Sequence, residues 1–267
     1  MIYKACLTTI LIPLCLSLTS HASLIGHEQF NTDGAIAGQT GGIGFGWDHF
    51  SGDVQTGTVS DWDTLLGAPS VSGGVLTTSG SSAKREYNGT IEGAGGGDGS
   101  DTERAGGYRG TGIVYLSIDM TPDSTGGFSG ISSYDFGTER VFFGHLGTGF
   151  YGISESGVGS NLSAVPAVGG ETVTIVGKVD FDGDLLSMWL NPVAGGEGAN
   201  TPIVTRAFTG TNWSTPVRIA SGGGVTSTWD DLRVGTTFND VVDVVPEPQS
   251  VALVILGALM LVRRSKR

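Results

Sequence analysis

Asp180-Phe-Asp182-Gly-Asp184 sets three carboxylates at alternate positions, the spacing with which a calcium loop converges oxygen ligands on a hard cation. Ca2+ is therefore the cofactor to which these residues point. Two departures weaken the match: the glycine falls at the fourth place instead of the sixth, and Asn191 stands where a bidentate glutamate closes such a loop. The plainer reading is a solvated hairpin turn, since Asp-Gly between two apolar runs is a strong turn signal. Gly96-Gly97-Asp98-Gly99-Ser100-Asp101 opens like a calcium-binding nonapeptide, but it occurs once and Glu103 replaces an apolar residue, which favours an acidic loop. Asp230 and Asp231 are further acids that could serve a metal; alternatively, Asp231 pairs near Arg233 or caps a turn.

Nucleophilic chemistry has little support. His27, His49 and His145 remain once the N-terminal segment discussed below is removed, and none lies in a recognisable nucleophile motif. Asn88, Asn161 and Asn212 head Asn-x-Ser/Thr sequons, which suggest exposed loops.

The elements that must position these groups are strands. Val114, Leu116, Ile118 and Met120 alternate with Tyr115, Ser117 and Asp119, and Val173, Ile175, Val179 and Phe181 share one face of a second run. Period two over this length predicts strands at 112–120 and 172–181, joined to the apolar run after Asp184 by a hairpin. Shorter strands are expected at 75–78, 140–143, 150–153, 217–220 and 232–236, with no convincing amphipathic helix. Glycine numbers 46 and proline nine, together about a fifth of the chain, below the roughly 25–30% that signals low complexity. They read as turns between many short strands, hence an all-β sandwich or jelly roll. Trp189 and Trp229 are expected in its core, because large aromatics anchor such interiors.

The two ends have a different character. Residues 1–22 read as a signal peptide, with Lys4 ahead of an apolar stretch and Ser20-His21-Ala22 as a small-x-small cleavage site. Both cysteines, Cys6 and Cys15, fall inside it, so the mature chain would have no thiol and no disulfide. At the other end, Pro246-Glu247-Pro248 precedes 12 apolar residues, Val251 to Val262, and then Arg263, Arg264, Lys266 and Arg267. As a helix that run is about 18 Å long, short of a comfortable span, and the cations would hold its end on the cytoplasmic side.

Pro-Glu-Pro, an apolar helix and a basic end resemble the PEP-CTERM sorting signal. The resemblance implies transient inner-membrane anchoring, recognition by an exosortase, cleavage near the motif, and delivery to the envelope or matrix of a bacterium that makes exopolysaccharide. Removing Lys4 and the four C-terminal cations leaves nine basic residues against 26 acidic, a net charge of −17. Such a body repels anionic polymers and attracts divalent cations, and no nucleic-acid partner is expected of it.

The body, 23–243, is read as one domain. GGIGFGWDHF, IVYLSIDM, ERVFFGHLGTGFYGI, GKVDFDGDLLSMWLNP and TWDDLRVGTTFNDV resemble the LamG or concanavalin A-like jelly roll of many PEP-CTERM proteins. Hydrolases of the laminarinase type in that fold carry Glu-x-Asp-x-x-Glu on one strand, and no such pattern is found; Glu139 and the glutamates from Glu86 to Glu92 stand alone. The expectation is a non-enzymatic module that binds or organises exopolysaccharide, with a glycan-active hydrolase or a structural coat protein as alternatives.

Overall fold

A computed structural model describes residues 24–45, 61–86, 112–135, 138–209 and 216–242. The signal segment, His49, Asn88, Asn212, the Gly96 to Asp101 stretch and the tail with Pro246, Glu247, Pro248, Arg263, Arg264, Lys266 and Arg267 lie outside them. Among the described residues no helix is long and apolar enough to cross a membrane.

The first eight strands are β1 (Leu24–Glu28), β2 (Gly34–Ala35), β3 (Asp63–Leu66), β4 (Ser70–Ser72), β5 (Val75–Ser79), β6 (Ser82–Glu86), β7 (Ile113–Pro122) and β8 (Phe128–Asp135). The rest are β9 (Thr138–Leu146), β10 (Phe150–Glu155), β11 (Gly159–Pro166), β12 (Val173–Asp180), β13 (Leu185–Leu190), β14 (Val204–Ala207), β15 (Pro216–Gly222) and β16 (Thr226–Gly235). They form two antiparallel sheets. Sheet A runs β14-β13-β12-β7-β16-β5-β4-β2, with β1 also on β16, and sheet B runs β11-β10-β9-β8-β15-β6-β3.

The expected runs at 112–120 and 172–181 are β7 and β12, paired along their length, and the Asp-Gly turn joins β12 to β13 as an antiparallel hairpin. Val114, Leu116, Ile118 and Met120 of β7 enter the main core with Ile175 and Val179, meeting Ile131, Phe143, Ile153 and Ile219 of sheet B. β7 is buried on its other face too. There Tyr115, Val176 and Trp189 pack beneath Phe238, Val241 and Val242, contributed by the short helix α1 (Phe238–Val241) and the residue after it. Trp229 sits in the main core and Trp189 in this second cluster, both buried as expected.

Not all of the interior is apolar. On the inner face of sheet B, neighbouring strands place Ser221, Ser129, His145 and Tyr151 in one row. Ser129 and Ser227 share a hydrogen bond across the sheets at 2.5 Å, as do Ser221 and Thr78 at 2.8 Å, and the Trp229 indole N–H donates to Thr78 Oγ1. These bonds tie the sheets at a fixed register, because a buried hydroxyl left unmatched is destabilising. His145 and Tyr151 are exceptions: the Tyr151 hydroxyl is buried without a hydrogen-bond partner, and His145 is 0% exposed with neither ring nitrogen partnered.

Burial holds the His145 imidazole below its ordinary pKa of 6.5. The folded protein therefore keeps it neutral at pH values where the unfolded chain protonates it. Below pH 6.5 the unfolded state binds the extra proton, so stability falls on acidification from that point until the folded pKa is reached. Thermal melts from pH 7.5 to 5 should show His145→Leu losing less stability than wild type over this window; parallel curves would contradict the burial argument.

Candidate functional site

The outer face of sheet B brings rings and small residues together. Pairing sets Ala220, Gly130, Gly144, Gly152 and Leu162 in a row across β15, β8, β9, β10 and β11. Beside it runs a second row of Arg218, Ser132, Phe142, Ser154 and Ser160, and on the other flank lie Gly222, Phe128 and Leu146. The glycines are required by what lies on them. A Cβ at Gly130 would stand 2.3 Å from the Phe143 carbonyl oxygen and 2.6 Å from the Phe142 ring, and one at Gly222 would stand 2.5 Å from the Phe128 ring. With no side chains beneath them, both rings pack directly over the strand backbone.

The result is a shallow groove of about 250 Å³ lined by Phe128, Phe142, Leu146, Ser154, Ser160, Glu139 and Arg218. The two rings meet edge to face with centroids 5.9 Å apart. Phe142 is buried, whereas Phe128 is 38% exposed and Phe150, further along the sheet, is 40% exposed. Arg218 Nη2 donates to Glu139 Oε2 at 2.6 Å, and the Ser160 hydroxyl donates to Ser154 Oγ at 2.9 Å. Chemically the groove offers an apolar wall beside hydroxyl, guanidinium and carboxylate groups. A pyranose ring has the complementary make-up, with a C–H face and a rim of hydroxyls that both donate and accept.

The acids singled out in the sequence lie elsewhere. Asp180 ends β12; its Oδ1 accepts the Gly183 amide at 2.7 Å and its Oδ2 lies 3.4 Å from Lys178 Nζ. Asp184 takes φ +48° in the same turn, and Asp182 lies between them in the four-residue turn before β13. Lys178 also reaches Glu197 at 3.1 Å, and the Tyr115 hydroxyl donates to Glu197. Burial, reinforced by Glu197, pushes the Tyr115 phenol well above its usual range. Among the described residues no group of three or more His, Cys, Asp or Glu side chains could hold a metal ion. Asp180, Asp182 and Asp184 are not brought together as one such group.

Asp231 sits at a bulge where β16 leaves β5 for β1, with φ +52°. Its carboxylate accepts from Arg233 Nε at 3.1 Å, approaches Arg233 Nη2 at 2.8 Å, and lies 2.6 Å from His27 Nε2. The pairing with Arg233 is one of the roles the sequence allowed. Asp230 folds onto the Asp231 amide at 2.7 Å, and burial raises its carboxyl.

Asn161 is exposed, but it belongs to strand β11 and not to a loop. Its amide donates to the Thr205 carbonyl at 2.9 Å and accepts from Arg206 at 3.0 Å. An asparagine side chain can thus take the part of backbone and latch β11 of sheet B to β14 of sheet A.

Sequence reasoning passed over Phe128, Phe142, Arg218 and the pairing of Glu139. The signal was the glycine at the middle of each of three strands, in SGIS, FFGHL and FYGIS, with a ring nearby.

No family model and no curated protein matches the chain. Among solved structures it is similar to a Trypanosoma rangeli sialidase in complex with 2,3-difluorosialic acid, at TM-score 0.47 and 11% identity over 82% of this chain and 32% of that one. It is also similar to the CBM2 module of the Lactobacillus casei BL23 phage J-1 evolved Dit, at TM-score 0.46 and 12% identity over 83% of this chain and 97% of that one. A botulinum neurotoxin serotype C1 binding domain gives TM-score 0.42 and 10% identity over 69% of this chain and 45% of that one. The chain spans only 17% of the length of a further sialidase.

Proposed function

We propose that the protein is an exported, non-enzymatic polysaccharide-binding module with a concanavalin A-like jelly roll, which organises matrix polymer through the outer face of sheet B. The observation that carries this reading is the groove in which Phe128 and Phe142 pack over glycines, edge to face, beside the Arg218–Glu139 pair. A half-exposed ring beside paired donors and acceptors suits a polymer that must be held along its length.

The make-up of the groove favours binding over the usual two-carboxylate glycoside hydrolysis. Most glycoside hydrolases use two carboxyl groups about 5 to 9.5 Å apart, and among the described lining residues Glu139 is the one acid.

Retention of the protein on exopolysaccharide from its own host, with calcium and with a chelator, tests the reading. Wild type should be retained under both conditions with no release of reducing ends. Phe128→Ala should weaken retention about tenfold, equivalent to about 1.4 kcal/mol of lost ring contact. Unchanged retention of that variant would remove the groove from the function, and self-assembly without glycan would favour a coat protein.

Delivery rests on separate residues. Export would remove 1–22, and an exosortase would recognise Pro246, Glu247 and Pro248 while Arg263, Arg264, Lys266 and Arg267 hold the tail inside. Intact mass of protein recovered from the host envelope should lack both ends; a terminus at Arg267 would contradict processing.

A further inference from the structure

The binding reading leaves open what kind of polymer the groove takes, and the Arg218–Glu139 pair bears on that choice. From this pair we infer that the groove selects an uncharged glycan, whose adjacent hydroxyls are held between the guanidinium and the carboxylate without a metal ion. The inference rests on the binding reading above.

Three observations converge. First, the cation lining the groove is already matched: Arg218 Nη2 lies 2.6 Å from Glu139 Oε2, so a sugar carboxylate entering here would meet an existing anion before any uncompensated charge. The body around it, stripped of Lys4 and the C-terminal cations, carries −17 and adds a repelling field. Second, a hydroxyl needs a donor and an acceptor together, and a bonded guanidinium–carboxylate pair presents both side by side. A carboxylate has about four lone-pair positions, of which Arg218 takes one, so Glu139 can still accept from a sugar. Third, the other polar side chains described as lining the groove, Ser154 and Ser160, are uncharged hydroxyls bonded to each other at 2.9 Å, and a hydroxyl can both donate to and accept from a sugar rim. At about 250 Å³ the groove is smaller than the roughly 300 Å³ at which drug-sized pockets begin. It therefore grips one ring of a chain, and the rest of the polymer runs over the sheet.

The test uses the full-length protein and host exopolysaccharide separated by anion exchange into neutral and uronate-bearing fractions, both assayed in chelator by affinity electrophoresis. Wild type should be retarded by the neutral fraction and not by the acidic one. Glu139→Gln, which strips the compensating charge from Arg218 while keeping the side chain's shape, should weaken neutral binding at least about tenfold and create measurable retardation in the acidic fraction. Should Glu139→Gln melt below wild type, Arg218→Gln serves as the second variant; it should also lose neutral binding without gaining acidic binding. Preference of wild type for the uronate fraction, or neutral binding by Glu139→Gln within about twofold of wild type, would overturn the inference. Phe128→Ala separates the two levels. If it alone abolishes binding while both polar variants bind normally, the groove stands and the selection of uncharged glycans falls; if no variant affects binding, the groove itself is wrong.

Discussion

Replacing Arg85 with alanine should destabilise the fold by about 3–5 kcal/mol, the usual result of removing one partner from a buried ion pair. Arg85 on β6 of sheet B and Glu28 on β1 of sheet A meet at 2.6 Å, with side chains 0% and 4% exposed. The guanidinium also donates to the Gly41 carbonyl and stacks over the Phe45 ring at 4.4 Å, with Trp62 at 5.8 Å. Glu28 further accepts from the Phe30 amide and, at 3.4 Å, from the Trp62 indole. One cation thus gathers the first strand, the segment after it and an edge of sheet B. Without it, Glu28 remains an anion in a site built of rings, with two neutral donors left. For a chain of this size the loss corresponds to a fall in Tm of roughly 6–20 °C. The double variant Arg85→Met with Glu28→Leu should recover most of it, since apolar residues of similar volume often replace buried pairs at little penalty. A single variant within about 1 kcal/mol of wild type would show that the pair does not hold the sheets.

Gly130→Ala should damage both stability and binding. Its new methyl would stand 2.3 Å from the Phe143 carbonyl oxygen and 2.6 to 2.7 Å from the Phe142 ring. The carbonyl belongs to the ladder between β8 and β9 and cannot retreat without breaking it, so the ring must lift. Overpacking of this kind destabilises by about 1–3 kcal/mol. The lifted Phe142 would also fill the groove against Phe128, and retention on host polysaccharide should be lost even where the variant remains folded. Gly126→Ala is the control: nothing lies within 4 Å of its added methyl. Equal retention by the two variants would mean that the glycine row does not shape the binding surface.

The strand pattern was legible wherever side chains alternate sharply. β7 and β12 declare themselves through Val114 to Met120 and Val173 to Phe181, and the Asp182-Gly183 turn joins β12 to β13 as period-two reasoning expects. β8 and β11 were not legible, because Ser129, Ser132, Ser133 and Ser160 to Ser163 mix small polar residues on both faces and leave no hydrophobic period to read. α1 escaped for another reason: four residues are too few for a helical period, and its place is set by Tyr115 and Trp189 beneath it. Asp180 was legible as a turn residue, and its carboxylate does what an aspartate before glycine does, folding onto a nearby amide. The groove could not be read from local sequence. It exists because Arg218, Ser132, Phe142 and Ser154 become neighbours only after β15 is inserted beside β8, some 86 residues earlier in the chain. Glu28 and Arg85, 57 residues apart, are likewise joined by topology alone.

The most direct measurement is a backbone amide NMR titration of the labelled protein with short oligosaccharides cut from its host's exopolysaccharide. Shifts concentrated on Phe128, Phe142, Ser154, Ser160 and Arg218 are the expected result, unchanged by chelator. Shifts confined to the 180–184 turn and dependent on calcium, or to the His27 and Asp231 bulge, would contradict the assignment of binding to the outer face of sheet B.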